Sequence, residues 1–214
     1  FGNVFAGYVA AQMGLPIERL CVATNHNDIL YRTFGRGEMV VEDVVPSTSP
    51  AMDIQVSSNF ERLLYYANGK DSEWLDRAMR SFRSEGTLTL PERVVDFLYQ
   101  SFYSDRASES EVDRTLSYFH NSGITVDPHT AVALNPLMVF PKKLVGRGGY
   151  VDGPPIAVMS TAHPAKFPDV VEKITGELTQ PQELAALAGK PERCADLPND
   201  LASVMDFVAT ASNQ

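Results

Sequence analysis

An α/β fold, with a parallel core of few strands broken by a helical insertion, is what this 214-residue sequence predicts. Three observations carry the prediction. The chain opens as glycine turn, helix and short apolar run, the order found where a helix packs onto a parallel strand. Apolar runs at 19–24 and 156–159 read as buried parallel strands, and each ends in a polar cluster. Between them, 70–123 shows apolar residues at helical spacing, bounded by capping residues and glycines.

Phe1-Gly2-Asn3 opens the chain, and a helix-compatible run follows until Gly14 and Pro16 stop it. A glycine turn at a helix start suits an anion, because free N–H groups and the helix dipole point at it. A tight turn without a ligand explains the same letters. An α/β domain rarely begins inside such a loop, so the expectation is a carboxyl-terminal piece of something longer.

Arg19-Leu20-Cys21-Val22-Ala23-Thr24 is the first strand, with Cys21 as a small core residue. Thr24-Asn25-His26-Asn27-Asp28 then sits at its carboxyl end, where open sheets bind ligands, so Asn25 is a site candidate. An asparagine-rich turn capping the helix at 29–34 is the competing reading, with Asp28 or Asn27 as the cap. Residues 38–45 read as a strand. A proline-bearing polar segment follows, and Ser58 with Glu61 forms a capping-box pattern for the next helix. Arg62 falls in that helix's first turn, where a cation opposes the dipole. It needs an anion, either a nearby Glu or a ligand.

In the helical block, Ser72 starts one helix and Pro91 a second, whose stripe runs Val94, Val95, Leu98, Phe102. Ser108 with Glu111 caps a third. Residues 124–126 read as a short strand, ending in Asp127-Pro128-His129-Thr130 at a further helix start. Residues 141–155 read as an exposed basic connection. The strand at 156–159 leads into Ser160-Thr161-Ala162-His163-Pro164-Ala165-Lys166-Phe167. From 169 on, a helix, a proline-containing linker and a last amphipathic helix at 200–209 are expected.

The formal net charge of -9 argues against non-specific nucleic-acid binding and against docking on an anionic membrane. No apolar run approaches the roughly 20 residues that a membrane helix needs. The two cysteines, Cys21 and Cys194, are far apart and form no metal-type pair, so no metal site is expected. A reduced, cytoplasmic protein without a signal peptide fits this composition.

Taken as a set, these stretches resemble threonine synthase of the bacterial and fungal type. The matching text is Phe-Gly-Asn at 1–3, Ala-Gly-Tyr at 6–8, Met-Gly-Leu-Pro-Ile at 13–17 and Ala-Thr-Asn-His-Asn-Asp-Ile-Leu at 23–30. It continues with Ser-Pro-Ala-Met-Asp-Ile at 49–54, Ser-Ser-Asn-Phe-Glu-Arg-Leu-Leu at 57–64, Asp-Pro-His-Thr-Ala-Val at 127–132 and Ser-Thr-Ala-His-Pro-Ala-Lys-Phe at 160–167. The order is the family's. The resemblance implies part of a tryptophan-synthase-β-like domain, fold type II of the pyridoxal-phosphate enzymes. The activity it implies is a lyase of threonine biosynthesis that turns O-phosphohomoserine and water into threonine and phosphate. Phosphate leaves by γ-elimination and water adds at the β carbon.

By the same resemblance, Gly2 and Asn3 end the loop that holds the cofactor phosphate. Thr161, with Ser160 as second choice, is the hydroxyl facing the pyridine nitrogen. Asn59 and Arg62 become candidates for the substrate phosphate. Ser58, Asn25, His129, His163 and Lys166 line the site. The family's Schiff-base lysine lies in an amino-terminal part not included here, and none of this chain's lysines, Lys166 included, stands in its context. So no catalytic residue is expected in this chain, which alone should be inactive and needs that missing part as partner. The expected division is 1–69 and 124–214 as parts of the cofactor domain, with 70–123 as the insertion. A related serine or threonine lyase on the same fold, and a truncated non-catalytic binding domain, are the alternatives.

Overall fold

The structure, a computed structural model, describes residues 1–139, 155–176, 180–192 and 194–211. It falls into two units, Phe1–Thr179 and Gln180–Gln214. The basic connection expected at 141–155 lies, but for Pro155, outside the described residues.

The opening reads as expected. Helix α1 (Gly2–Gln12) stops before Gly14, whose φ of 100° needs glycine. Strand β1 (Leu20–Thr24) follows. Gly7 is what lets α1 lie close on β1, since a Cβ there would stand 2.7 Å from Leu20 Cδ2. Helix α2 (Ile29–Arg36) closes on Gly37 in the left-handed conformation. Strand β2 is only Glu38–Val40, because the chain then leaves as a loop through a 3-10 turn at Pro50–Met52.

Helix α3 (Phe60–Ala67) buries Phe60, Leu63 and Leu64 completely. Its cap departs from expectation. Asn59, not Ser58, is the capping residue, and no side chain bonds the free N–H groups, so the Ser58–Glu61 capping box does not form. The expected helices at 70–123 are present as α4 (Ser72–Glu85), α5 (Glu92–Ser101) and α6 (Glu109–Asn121). Asp71 caps α4 through the N–H of Trp74, and Ser108 and Glu111 make the expected capping box on α6.

Two strands lie within this block, and the sequence reading missed both. Strand β3 (Thr87–Thr89) pairs antiparallel with β2, and β4 (Phe102–Arg106) pairs parallel with β1, Leu20 opposite Phe102. Phe102 extends the Val94–Leu98 stripe at helical spacing, which disguised the switch to extended backbone. Conversely, the strands expected at 124–126 and 156–159 are absent. Ile124, Ile156 and Met159 are exposed there, and apolar letters alone make no strand without a neighbour to supply the hydrogen-bond ladder. Cys21 corrects a third expectation. On β1 Leu20, Val22 and Thr24 share the face that meets the main core, and Cys21 is exposed.

The main core gathers α1, β1 and α2 to α5 around Phe60, Phe82, Val94 and Leu98. A smaller core joins Val112, Leu116, Ala131 and Val132 from α6 and α7 (Pro128–Val139), with Val170 and Ile174 of α8 (Pro168–Thr175) against them. Phe60 packs edge-on against Phe1 at 5.1 Å and against Phe34 at 5.9 Å between ring centroids. Phe60→Ala is therefore expected to cost about 3–5 kcal/mol, read as a lowered denaturation midpoint. The second unit holds α9 (Gln182–Ala185) and α10 (Leu201–Ala211), and α10 buries none of its apolar residues.

Candidate functional site

The expected site residues fall into two groups. The first forms where α1 and α3 begin. In an α-helix the first N–H groups have no partner within the helix, and neither helix has a side-chain cap. No acidic residue occupies the first turn of α1. Gly2 faces across to α3: a Cβ built on it would stand 4.0 Å from Arg62 Nη2 and 4.0 Å from Asn59 Nδ2. So Gly2, Asn59 and Arg62 are neighbours, with Asn3 next along α1.

The local ion pair that the sequence offered Arg62 is not made. Glu61 reaches towards Arg83 at 3.9 Å instead, and Arg62 has no carboxylate partner among the described residues. Its guanidinium sits 4.8 Å from the centroid of the Phe5 ring and 3.5 Å from the Asn59 carbonyl oxygen. A guanidinium in a first turn, beside a second helix start and a glycine, makes a cationic notch lined with donors. Ser58 is exposed at its rim, while Ser57 is buried and its hydroxyl has no partner among the described residues. Ser57 escaped the sequence reading because nothing in the letters separates it from Ser58.

The second group gathers around α7. Asp127, fully buried, is the cap that the Asp-Pro turn supplies. Its Oδ1 accepts from the N–H groups of His129 at 2.9 Å and Thr130 at 3.3 Å. The His129 ring lies with Nδ1 3.1 Å from the same oxygen, and its Nε2 accepts from the Ala51 N–H at 3.2 Å. Nε2 is therefore the unprotonated nitrogen, and Nδ1–H donates to Asp127. Burial pushes the Asp127 carboxyl up, but hydrogen bonds from His129 and Thr130 outweigh it and hold it below the usual range.

Thr130 Oγ1 donates to Asp127 Oδ2 and lies 3.1 Å from Ser160 Oγ. Ser160, Thr161, His163 and Lys166 are exposed. His163 Nδ1 accepts from the Ala165 N–H at 3.1 Å, capping a 3-10 turn at Pro164–Lys166. Lys166 lines a shallow cavity of about 300 Å³ with Ser47, Thr48, Phe167 and Asp169.

Asn25 sits fully buried beside this loop. Its amide donates towards Ser47 Oγ at 2.8 Å, Ser49 Oγ at 3.0 Å and Asp53 Oδ1 at 2.7 Å, while its carbonyl oxygen accepts from the Asn27 N–H at 2.9 Å. Asn27 bonds Val45 in both directions, 2.8 Å each way. The polar cluster after β1 thus staples the 45–53 loop to the strand's carboxyl end. A ligand contact by Asn25 would compete with bonds already made.

Asp28 stands at the cap position of α2, but its side chain does not bond the helix's free N–H groups. It is 3% exposed, and its two oxygens take Arg32 Nε at 2.8 Å and Arg106 Nη1 at 2.7 Å. Burial raises its pKa, the two arginines outweigh that, and the carboxyl ends below its usual range. Arg106 lies on β4, so this pair ties α2 to the strand that the sequence hid.

No hydrogen bond, ion pair or ring contact among the described residues joins the first group to the second. Among the described residues, no cluster could hold a metal ion and no helix is long and apolar enough to cross a membrane.

Comparison with known proteins finds relatives of the chain. A family profile described as "Threonine synthase, C-terminal" matches residues 146–208. Threonine synthase of Pseudomonas aeruginosa is 37% identical over 217 residues, covering 100% of this chain and 45% of the relative. That of Saccharomyces cerevisiae is 38% identical over 186 residues, covering 80% of this chain and 35% of the relative. Among solved structures, the PLP-bound threonine synthase of Brucella melitensis superposes with a TM-score of 0.86 at 39% identity, over 100% of this chain and 45% of that one. The yeast threonine synthase gives 0.85 at 31% identity, over 100% of this chain and 46% of that one. The chain spans less than half the length of these bacterial and yeast relatives. By sequence and by fold alike, it belongs to the threonine synthase family, matching its members' carboxyl-terminal part.

Proposed function

We propose that this chain is the phosphate-anchoring part of a pyridoxal-phosphate-dependent threonine synthase, acting on O-phosphohomoserine and water to give threonine and phosphate. The observation that carries the reading is the notch formed by Gly2, Asn59 and Arg62 where α1 and α3 lie side by side. Its donors suit a phosphoryl group: backbone N–H groups, a side-chain amide and a guanidinium without a carboxylate partner among the described residues.

In this reading Gly2 and Asn3 hold the cofactor phosphate through backbone N–H groups. Arg62 and Asn59, with Ser58 at the rim, take the substrate phosphate. The Thr161 hydroxyl, with Ser160 as second choice, meets the ring nitrogen, so the two groups of residues hold opposite ends of one cofactor. Pyridoxal phosphate, when bound, supplies the electron sink for the carbon chemistry. His129, His163, Asn25 and Lys166 shape the wall. The Schiff-base lysine comes from the amino-terminal part of the longer protein, and this chain alone turns nothing over.

The test gives O-phosphohomoserine to the complete protein. Threonine and phosphate in equal amounts support the reading. No threonine from O-phosphohomoserine, with pyruvate formed from serine or 2-oxobutyrate from threonine, assigns the related lyase instead. Lys166→Ala in that protein is expected to leave the bound cofactor's absorption intact, because Lys166 is a wall residue. Its loss with the fold retained would give Lys166 the covalent role.

A further inference from the structure

Arg62 is a long side chain at the surface, and an exposed arginine samples many rotamers unless something holds it. No carboxylate does so among the described residues. Its bond from Nε to the Asn59 carbonyl oxygen is 3.5 Å, past the usual N–H···O range. The close hold comes from α1, where the Phe5 ring lies under the guanidinium, 4.8 Å from centroid to Cζ.

Phe5 is seated by the fold. It follows Gly2 by one helical turn, so both lie on one face of α1, and Gly2 stands beside Arg62 Nη2. Arg62 and Tyr66 are likewise one turn apart on one face of α3. Phe5 meets both. Its ring centroid is 6.0 Å from that of Tyr66 and 6.0 Å from that of Tyr8, and the buried Tyr8 lies 5.7 Å from Tyr66. Tyr8 in turn packs edge-on against Phe97 of α5 at 5.9 Å. The ring under Arg62 thus belongs to the margin of the main core.

We propose that Phe5 is a positioning residue, whose ring holds the Arg62 guanidinium at the notch beside Gly2 in the pose that takes a phosphoryl group. Phe5 need not touch the ligand. The inference deepens the reading above and rests on it in one respect, that Arg62 takes the substrate phosphate. A ring is a different kind of holder from a carboxylate. A Glu partner would neutralise the charge and occupy the Nη donors. A ring face orders the same group and leaves both charge and donors to the ligand. A fork ordered in advance loses less entropy when the phosphate arrives.

Phe5→Leu is the informative variant. Leucine keeps an apolar side chain against Tyr8 and Tyr66, suits a helix, and has no π face. The experiment uses the complete protein loaded with pyridoxal phosphate, as wild type, Phe5→Leu, Arg62→Ala and the double variant. It reads KM and kcat for O-phosphohomoserine, the Kd of inorganic phosphate by calorimetry, and the thermal melt. Phe5→Leu is expected to raise KM and the phosphate Kd by about 2- to 5-fold, with kcat and the melt little changed. In the Arg62→Ala background it should add nothing, because the group it positions is gone.

If Arg62→Ala raises KM while Phe5→Leu leaves both KM and Kd at the wild-type values, the positioning role is overturned and the Arg62 assignment stands. An equal rise from Phe5→Leu with and without Arg62 also overturns it, since the ring then acts by another route. If Arg62→Ala itself leaves KM in place, the assignment of Arg62 and the inference built on it both fail.

Discussion

Arg62→Ala in the complete protein is expected to raise the KM for O-phosphohomoserine by about 10- to 150-fold, the equivalent of about 1.5–3 kcal/mol for hydrogen bonds to a charged group. The side chain is exposed, and among the described residues no carboxylate holds it. Its contact with the Phe5 ring is worth about 0.5–1 kcal/mol at an exposed site. Removing a cation from a first helical turn returns about 0.3–1 kcal/mol through the dipole. Stability should therefore hardly move, and unfolding cannot stand in for lost binding. Arg62→Lys should restore only part of the affinity, since an ammonium is a point charge and lacks the planar fork that matches a phosphate. Steady-state kinetics beside thermal melts of the three proteins checks this. A KM unchanged in the alanine variant would remove Arg62 from the site.

The second large effect is structural. Asp28→Ala leaves the buried Arg32 guanidinium without its carboxylate, and breaking a buried pair in this way costs about 3–5 kcal/mol. Arg32 keeps its bonds to the Val40 carbonyl at 3.0 Å and to Gln55 Oε1 at 3.1 Å, and Glu42 lies 3.0 Å away, so the loss should fall at the lower end. The pH dependence has a definite sign. The folded carboxyl is held below its unfolded value, so its contribution is fully present above the unfolded pKa of about 3.9 and is lost as pH falls through the folded one. Asp127 acts in the same direction. Denaturant titrations should thus give stability that is level in this respect near neutrality and declines below about pH 4. Asp28→Asn should flatten that decline. A decline of unchanged depth would take Asp28 out of the acid response.

Much of the fold was legible because its signals are local. Gly14 and Pro16 ended α1, and Ser108 with Glu111 started α6, through chemistry confined to a few neighbouring residues. The strands were harder, since a strand exists only by its partner. Phe102 to Arg106 carries the polar letters Ser104 and Asp105 and became a strand because β1 lies beside it. The apolar 156–159 stretch did not become one, because no described strand pairs with it. The site divides in the same way. Resemblance located Gly2, Asn59 and Arg62, and a single glycine approach joined them. Asn25 and Asp28 looked like ligand and cap, yet their buried polar atoms serve the 45–53 loop and two arginines. Long-range polar pairs of this kind leave no periodic trace in sequence.

The most direct measurement is a crystal structure of the complete protein with pyridoxal phosphate and a phosphonate analogue of O-phosphohomoserine. The expected map shows phosphorus-centred density within hydrogen-bond reach of the Arg62 guanidinium and of the backbone N–H groups at Gly2 and Asn3. Density for both phosphorus groups elsewhere, with Arg62 facing only solvent, would contradict the assignment of this notch.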